Sequence, residues 1–67
     1  MSKYLLYIYG FAGALLEKVE CSTQANAEKC MSRFKGYNVV GKLFTTKFSV
    51  DYGKIVPQNL IKTYHSK

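Results

Sequence analysis

The side chains able to do chemistry are few, and their spacing speaks against catalysis. Ser22, Ser32 and Ser49 stand in no Gly-x-Ser-x-Gly context and have no His/Asp pattern nearby. Glu17 and Glu20 are an odd number of residues apart, so on one strand they point to opposite faces and cannot form an acid–base dyad. His65 is the one histidine, placed near what reads as a frayed end. It would act as a general base only if the tail folded over a pocket, and a chain of 67 residues leaves little room for one. His65 has no histidine or Cys-x-x-Cys partner, so the pattern holds neither a metal site nor a cofactor site. The chain is read as a binding protein and not as an enzyme.

Binding chemistry is better represented. Residues 1–32 balance Lys3, Lys18 and Lys29 against Glu17, Glu20 and Glu28. Residues 33–67 carry Arg33, Lys35, Lys42, Lys47, Lys54, Lys62 and Lys67 against Asp51 alone, so the whole net charge of +6 lies there. A clustered positive field attracts an anionic partner: nucleic acid, an acidic protein surface or anionic lipid. Six tyrosines and four phenylalanines are more rings than a small core can hide. Tyrosine tolerates partial exposure, because its ring packs while its hydroxyl meets water.

The elements that must position these groups are legible from periodicity. Lys3–Tyr9 reads as a strand with Tyr4, Leu6 and Ile8 on one face and Leu5, Tyr7 and Tyr9 on the other. Two apolar faces suit a central strand, or one whose second face binds something. Gly10-Phe11-Ala12-Gly13 is a turn signal, and Ala14–Cys21 is the return strand, with Leu15, Val19 and Cys21 expected to face inward. Ser22 or Thr23 caps a helix over Gln24–Lys35, whose stripe is Ala27, Cys30, Met31 and Phe34, with Gly36 as the stop. In Tyr37–Val50 the apolar positions switch parity: Val39 and Leu43 are odd, while Phe44, Phe48 and Val50 are even. A flat strand cannot bury both sets, which predicts a bulge or bend between Gly41 and Thr46, or two short strands. Asp51-Tyr52-Gly53 is a turn, Lys54–Val56 a last short strand ended by Pro57, and Gln58–Tyr64 one or two helical turns with Leu60, Ile61 and Tyr64 packing back.

The fold class is therefore α+β: a small antiparallel sheet of three to four strands with one helix on one face, in the order β-β-α-β, with an extra strand and a C-terminal helical turn. Residues 1–67 form a single small domain, which buries only about 60% of its unfolded surface. Two cysteines are too few for a disulfide scaffold, and Cys21 and Cys30 read as buried thiols in a reducing cytoplasm. The uncharged run Tyr4–Leu16 falls short of the roughly 20 residues of a spanning helix and has no Ala-x-Ala site after it, so no membrane role is expected.

Two binding modes follow. In the first, Tyr7 and Tyr9 stack bases of RNA or single-stranded DNA while Lys42, Lys47 and Lys54 take phosphates. The Lys/Arg-Gly-Phe/Tyr-Gly/Ala-Phe string of the RNA recognition fold is missing. In the second, the protein resembles phage-encoded inhibitors and adaptors in size and element order only. Tyr7, Tyr9, Phe11 and Arg33 would then anchor it in an acidic groove of a nucleic-acid-handling or defence protein complex. The same tyrosines also suit a homodimer. A Tyr-rich hairpin followed by an Arg-bearing helix resembles the start of the GIY-YIG nuclease fold, but Tyr7-Ile8-Tyr9-Gly10 is the only such string here, and the resemblance is rejected.

Overall fold

In the computed structural model, which describes residues 3–66, the strands are β1 (Tyr4–Tyr9), β2 (Leu15–Cys21), β3 (Val39–Ser49) and β4 (Lys54–Ser66), and α1 (Gln24–Ser32) lies between β2 and β3. They form one antiparallel sheet in the order β2-β1-β3-β4. The two-faced apolar strand β1 is thus central, as its alternation requires. Its even face meets the helix. Leu6, Ile8, Cys21, Ala27, Met31, Val39 and Leu43 make one buried cluster, with Tyr4, Val19, Cys30, Phe34 and Tyr64 packed around it.

Glycine permits the closest contact in that cluster. Gly41 pairs with Ile8 beneath the helix. A Cβ there would overlap Met31 Sδ and stand 3.1 Å from Met31 Cε and 3.2 Å from Leu6 Cδ1. The helix starts as expected, with Thr23 Oγ1 accepting from the Asn26 amide at 3.1 Å. It ends earlier than its stripe suggests, at Ser32 with Arg33 as C-cap. Arg33, Phe34 and Lys35 donate to Cys30, Met31 and Ser32, so the chain tightens into i→i+3 turns. Phe34 consequently lies beyond the helix and is half-buried, and Cys30 is half-buried too.

Four local expectations are corrected. Leu15 faces outward, because the β1–β2 register shifts between Ile8 and Tyr9 and sets Leu15 opposite Tyr9. A one-residue slip exchanges faces. Gln58–Tyr64 is strand, not helix, and β4 runs through Pro57 rather than stopping there. An eleven-residue β3 offers a long ladder, and a segment containing Ile61, Thr63 and Tyr64 suits it better than two isolated helical turns would. Pro57 is tolerated because β4 is an edge strand and its register is irregular there. Leu60 and Ile61 do not pack back; they are 51% and 42% exposed. Third, His65 is not at a frayed end but pairs with Val40.

Fourth, the bulge or bend expected in the Tyr37–Val50 segment between Gly41 and Thr46 is not on that segment. β3 is one continuous strand in unbroken register with β1, and the irregularity at this level falls on its partner β4. The β3–β4 register shifts between Leu43 and Phe44 and again between Phe44 and Thr46. The extra residues lie on β4, and Thr45 Oγ1 accepts from the Asn59 amide at 3.1 Å in that irregular stretch. Bulges sharpen twist and bend the strand that carries them.

Candidate nucleic-acid interface

That bend shapes the face opposite the helix. Register puts Leu5, Tyr7 and Tyr9 of β1 on it, flanked by Glu20 and Lys18 of β2 and by Phe44, Lys42 and Val40 of β3. Leu5 is only 7% exposed, although it lies outside the helix-side cluster. Ile55, Val56 and Pro57 of β4 stand across a cleft of about 280 Å³ from Leu5 and Tyr7, with Lys18, Glu20 and Lys54 at its walls. At the other end of β1 a shallower depression of about 390 Å³ is lined by Tyr9, Gly10, Phe11, Gly13, Val40 and Lys42. The face is therefore a trough along β1, roofed in part at the Leu5 end, rather than a flat open sheet.

Cations and rings alternate in it. Lys18 Nζ lies 5.7 Å from the Tyr7 ring centroid, and Lys42 Nζ lies 5.3 Å from that of Tyr9. Both distances allow cation–π attraction, which biases each ammonium toward its ring without fixing it. Tyr7 also meets Phe44, at 5.4 Å between centroids and 59° between planes, a tilted pair. Tyr7 and Tyr9 are two residues apart on a strand, so their rings repeat at about 6.6 Å along the trough.

The residues expected to act together separate into three places. Tyr7, Tyr9, Lys42 and Lys54 line the trough. Lys47 does not: it pairs with Val56 in the distal hairpin, one residue out of phase with Phe44 and Phe48, and is exposed. Arg33 lies on the helix side, lining a largely apolar groove of about 510 Å³ with Leu16, Phe34, Tyr37 and Val39. Phe11, 85% exposed at the hairpin tip, borders both that groove and the Tyr9 depression. Arg33 Nη2 donates to Cys30 Sγ at 3.3 Å, and this bond raises the guanidinium's pKa further.

Lys18 and Phe44 are trough residues that the candidate set lacked. Lys18 was detectable: it shares parity with Glu20, and a hairpin register would have set it beside Tyr7. Phe44 was missed because the parity change after Leu43 reads as a bend, whereas β3 runs unbroken there and sets Phe44 opposite Leu5 on the trough face. Glu17 and Glu20 do fall on opposite faces, paired with Ile8 and Leu5. Among the described residues no group of three or more His, Cys, Asp or Glu could hold a metal, and no helix is long and apolar enough to cross a membrane.

No protein-family model matches the chain, and no significant similarity to a curated protein or a solved structure is found.

Proposed function

We propose that this protein binds single-stranded nucleic acid, RNA or DNA, along the β1 trough. Tyr7 and Tyr9 would stack successive bases, with Phe44 backing Tyr7, and Lys18, Lys42 and Lys54 would take the phosphates. The observation that carries this reading is the pairing of each tyrosine ring with its own lysine on the sheet face that the helix leaves uncovered. Stacking on an aromatic ring is worth about 1–3 kcal/mol per base and tolerates any sequence. A lysine beside the ring swings toward the phosphate of the stacked nucleotide at little cost, because its stem is flexible. No reaction is assigned to the site. A reducing cytoplasm is the compartment that suits two free thiols.

The test is fluorescence anisotropy on a short labelled oligothymidylate and its RNA counterpart across a salt series. Three phosphate contacts give a slope of log affinity on log salt of about −2, at roughly −0.7 per contact for single strands. Removing Lys18 or Lys42 should make the slope shallower by one contact. Tyr7→Ala or Tyr9→Ala should weaken binding and leave the slope unchanged, since stacking releases no counterions. Absence of binding at low salt would refute the proposal.

A second reading is favoured by one observation, the apolar groove that Arg33 and the exposed Phe11 border. On this reading the protein is an inhibitor or adaptor of the phage type. It docks through Phe11 and Arg33, with Tyr37 beside them and Tyr7 and Tyr9 left on the opposite face, into an acidic groove of a nucleic-acid-handling or defence protein complex. Co-purification from the native host separates the two: a partner that survives nuclease treatment and is lost with Arg33→Glu supports docking.

A further inference from the structure

Cys21 closes β2 and is 2% exposed; Cys30 lies two helical turns into α1, half-buried against the same core cluster. Both are free thiols. Their environments differ in a way that suits a two-step reaction. Cys30 Sγ accepts a hydrogen bond from the exposed Arg33 guanidinium at 3.3 Å, so a cation stands beside it to steady negative charge gathering on sulfur. Cys21 Sγ instead points its hydrogen toward the Val19 carbonyl at 3.9 Å, inside the core. We infer that Cys30 and Cys21 form an oxidation site, in which peroxide attacks at Cys30 and Cys21 resolves the product to an intramolecular disulfide.

The chemistry balances with a peroxide as the oxidant. The Cys30 sulfur attacks one peroxide oxygen; an S–O bond forms, the O–O bond breaks, and the leaving hydroxide takes up the proton that the thiol gives up, departing as water. Cys30 is then a sulfenic acid. The Cys21 sulfur next attacks Cys30 sulfur; an S–S bond forms, the S–O bond breaks, and water leaves with the Cys21 proton. The two sulfurs lose two electrons in all, and the peroxide is reduced to two waters. Cys21, at 2% exposure, is closed to peroxide, whereas half-buried Cys30 is open to it, and burial, followed by the neighbouring Cys30, also raises the Cys21 pKa. That fixes the order of attack. The site does not depend on what the tyrosine trough binds.

The test treats the reduced, folded protein with equimolar hydrogen peroxide, then denatures, alkylates and weighs it. The expected product is a monomer lighter by two hydrogens, with no alkylated thiol and with the Cys21 and Cys30 peptides linked, restored by dithiothreitol. Cys21→Ser should stop at a Cys30 sulfenic acid that dimedone captures. Arg33→Gln should slow the first step severalfold. Should Cys21→Ser not fold, the parent alone decides: Cys30 must react faster in the native protein than in urea. Two thiols still alkylated after peroxide, intermolecular dimers as the only oxidised product, or equal native and denatured rates would each overturn the assignment.

Discussion

Gly41 is the position where a single methyl group tests the packing of the helix on the sheet. Alanine there would overlap Met31 Sδ and crowd Leu6 Cδ1. Overpacking of this kind costs about 1–3 kcal/mol, and methionine, with three rotatable bonds, brings it toward the lower end. Replacing glycine also restricts the unfolded chain, which returns about 0.4–1 kcal/mol. The expected net cost of Gly41→Ala is therefore about 0–2 kcal/mol. Met31→Ala alone, from a side chain 7% exposed, should cost about 2–5 kcal/mol through the cavity it leaves. In the double variant the new Cβ occupies room that Met31 has vacated. The two costs should then fall short of additivity by about 1 kcal/mol or more. Urea melts of all four proteins, in one fixed concentration of a stabilising osmolyte so that the weakest still folds, measure this coupling. If Gly41→Ala costs the same in both backgrounds, Met31 does not lie over Gly41, and the helix placement is wrong.

Four further outcomes follow. Phe34→Ala should cost less than the 3–5 kcal/mol of a fully buried ring, because Phe34 is only half-buried beyond the helix end; a thermal melt that vanishes entirely would contradict this. Tyr64→Phe should be neutral or mildly stabilising, since the Tyr64 hydroxyl is buried without a hydrogen-bond partner; a clear loss of stability in urea would refute it. Burial raises the Tyr64 pKa, and burial also raises that of Cys21, so the folded state holds both protons longer than the unfolded chain does. Their contribution is complete below the unfolded pKa values, near 9 for the thiol and 10 for the phenol, and is lost as pH rises through the folded ones; a melting temperature that rises across that range would reverse the sign. Glu20→Gln should tighten oligonucleotide binding, because Glu20 lines the cleft beside Tyr7, Lys18 and Lys54; weaker binding in the anisotropy assay would count against the trough.

The architecture was legible where one period dominated. Tyr4–Tyr9 showed two apolar faces and became the central strand, whereas the parity switch from Leu43 to Phe44 marks a second two-faced strand and not a bend in it, since β3 pairs with β1 without a shift there. Legibility failed where the deciding information was non-local. Nothing local in Gln58–Tyr64 says that an eleven-residue partner waits to pair with it. Likewise the bulge near Tyr9, which turns Leu15 outward, depends on how the Gly10–Gly13 turn closes. The candidate site suffered the same way. Tyr7, Tyr9 and Lys42 share a face by simple alternation and register, so reading them together was sound. Lys47 and Arg33 join them by charge, Lys47 also by lying on a neighbouring β segment. Charge says nothing of direction, and the fold puts them elsewhere.

The separation of trough from groove gives the central claim its most direct measurement: a ¹H–¹⁵N titration of the protein with a short oligothymidylate at low salt. Binding along β1 predicts shifts confined to Tyr7, Tyr9, Lys18, Lys42, Phe44, Lys54 and their strand neighbours, with Lys47, Arg33 and Tyr37 unmoved. An unchanged spectrum, or shifts centred on Arg33, Phe34 and Tyr37, would contradict it.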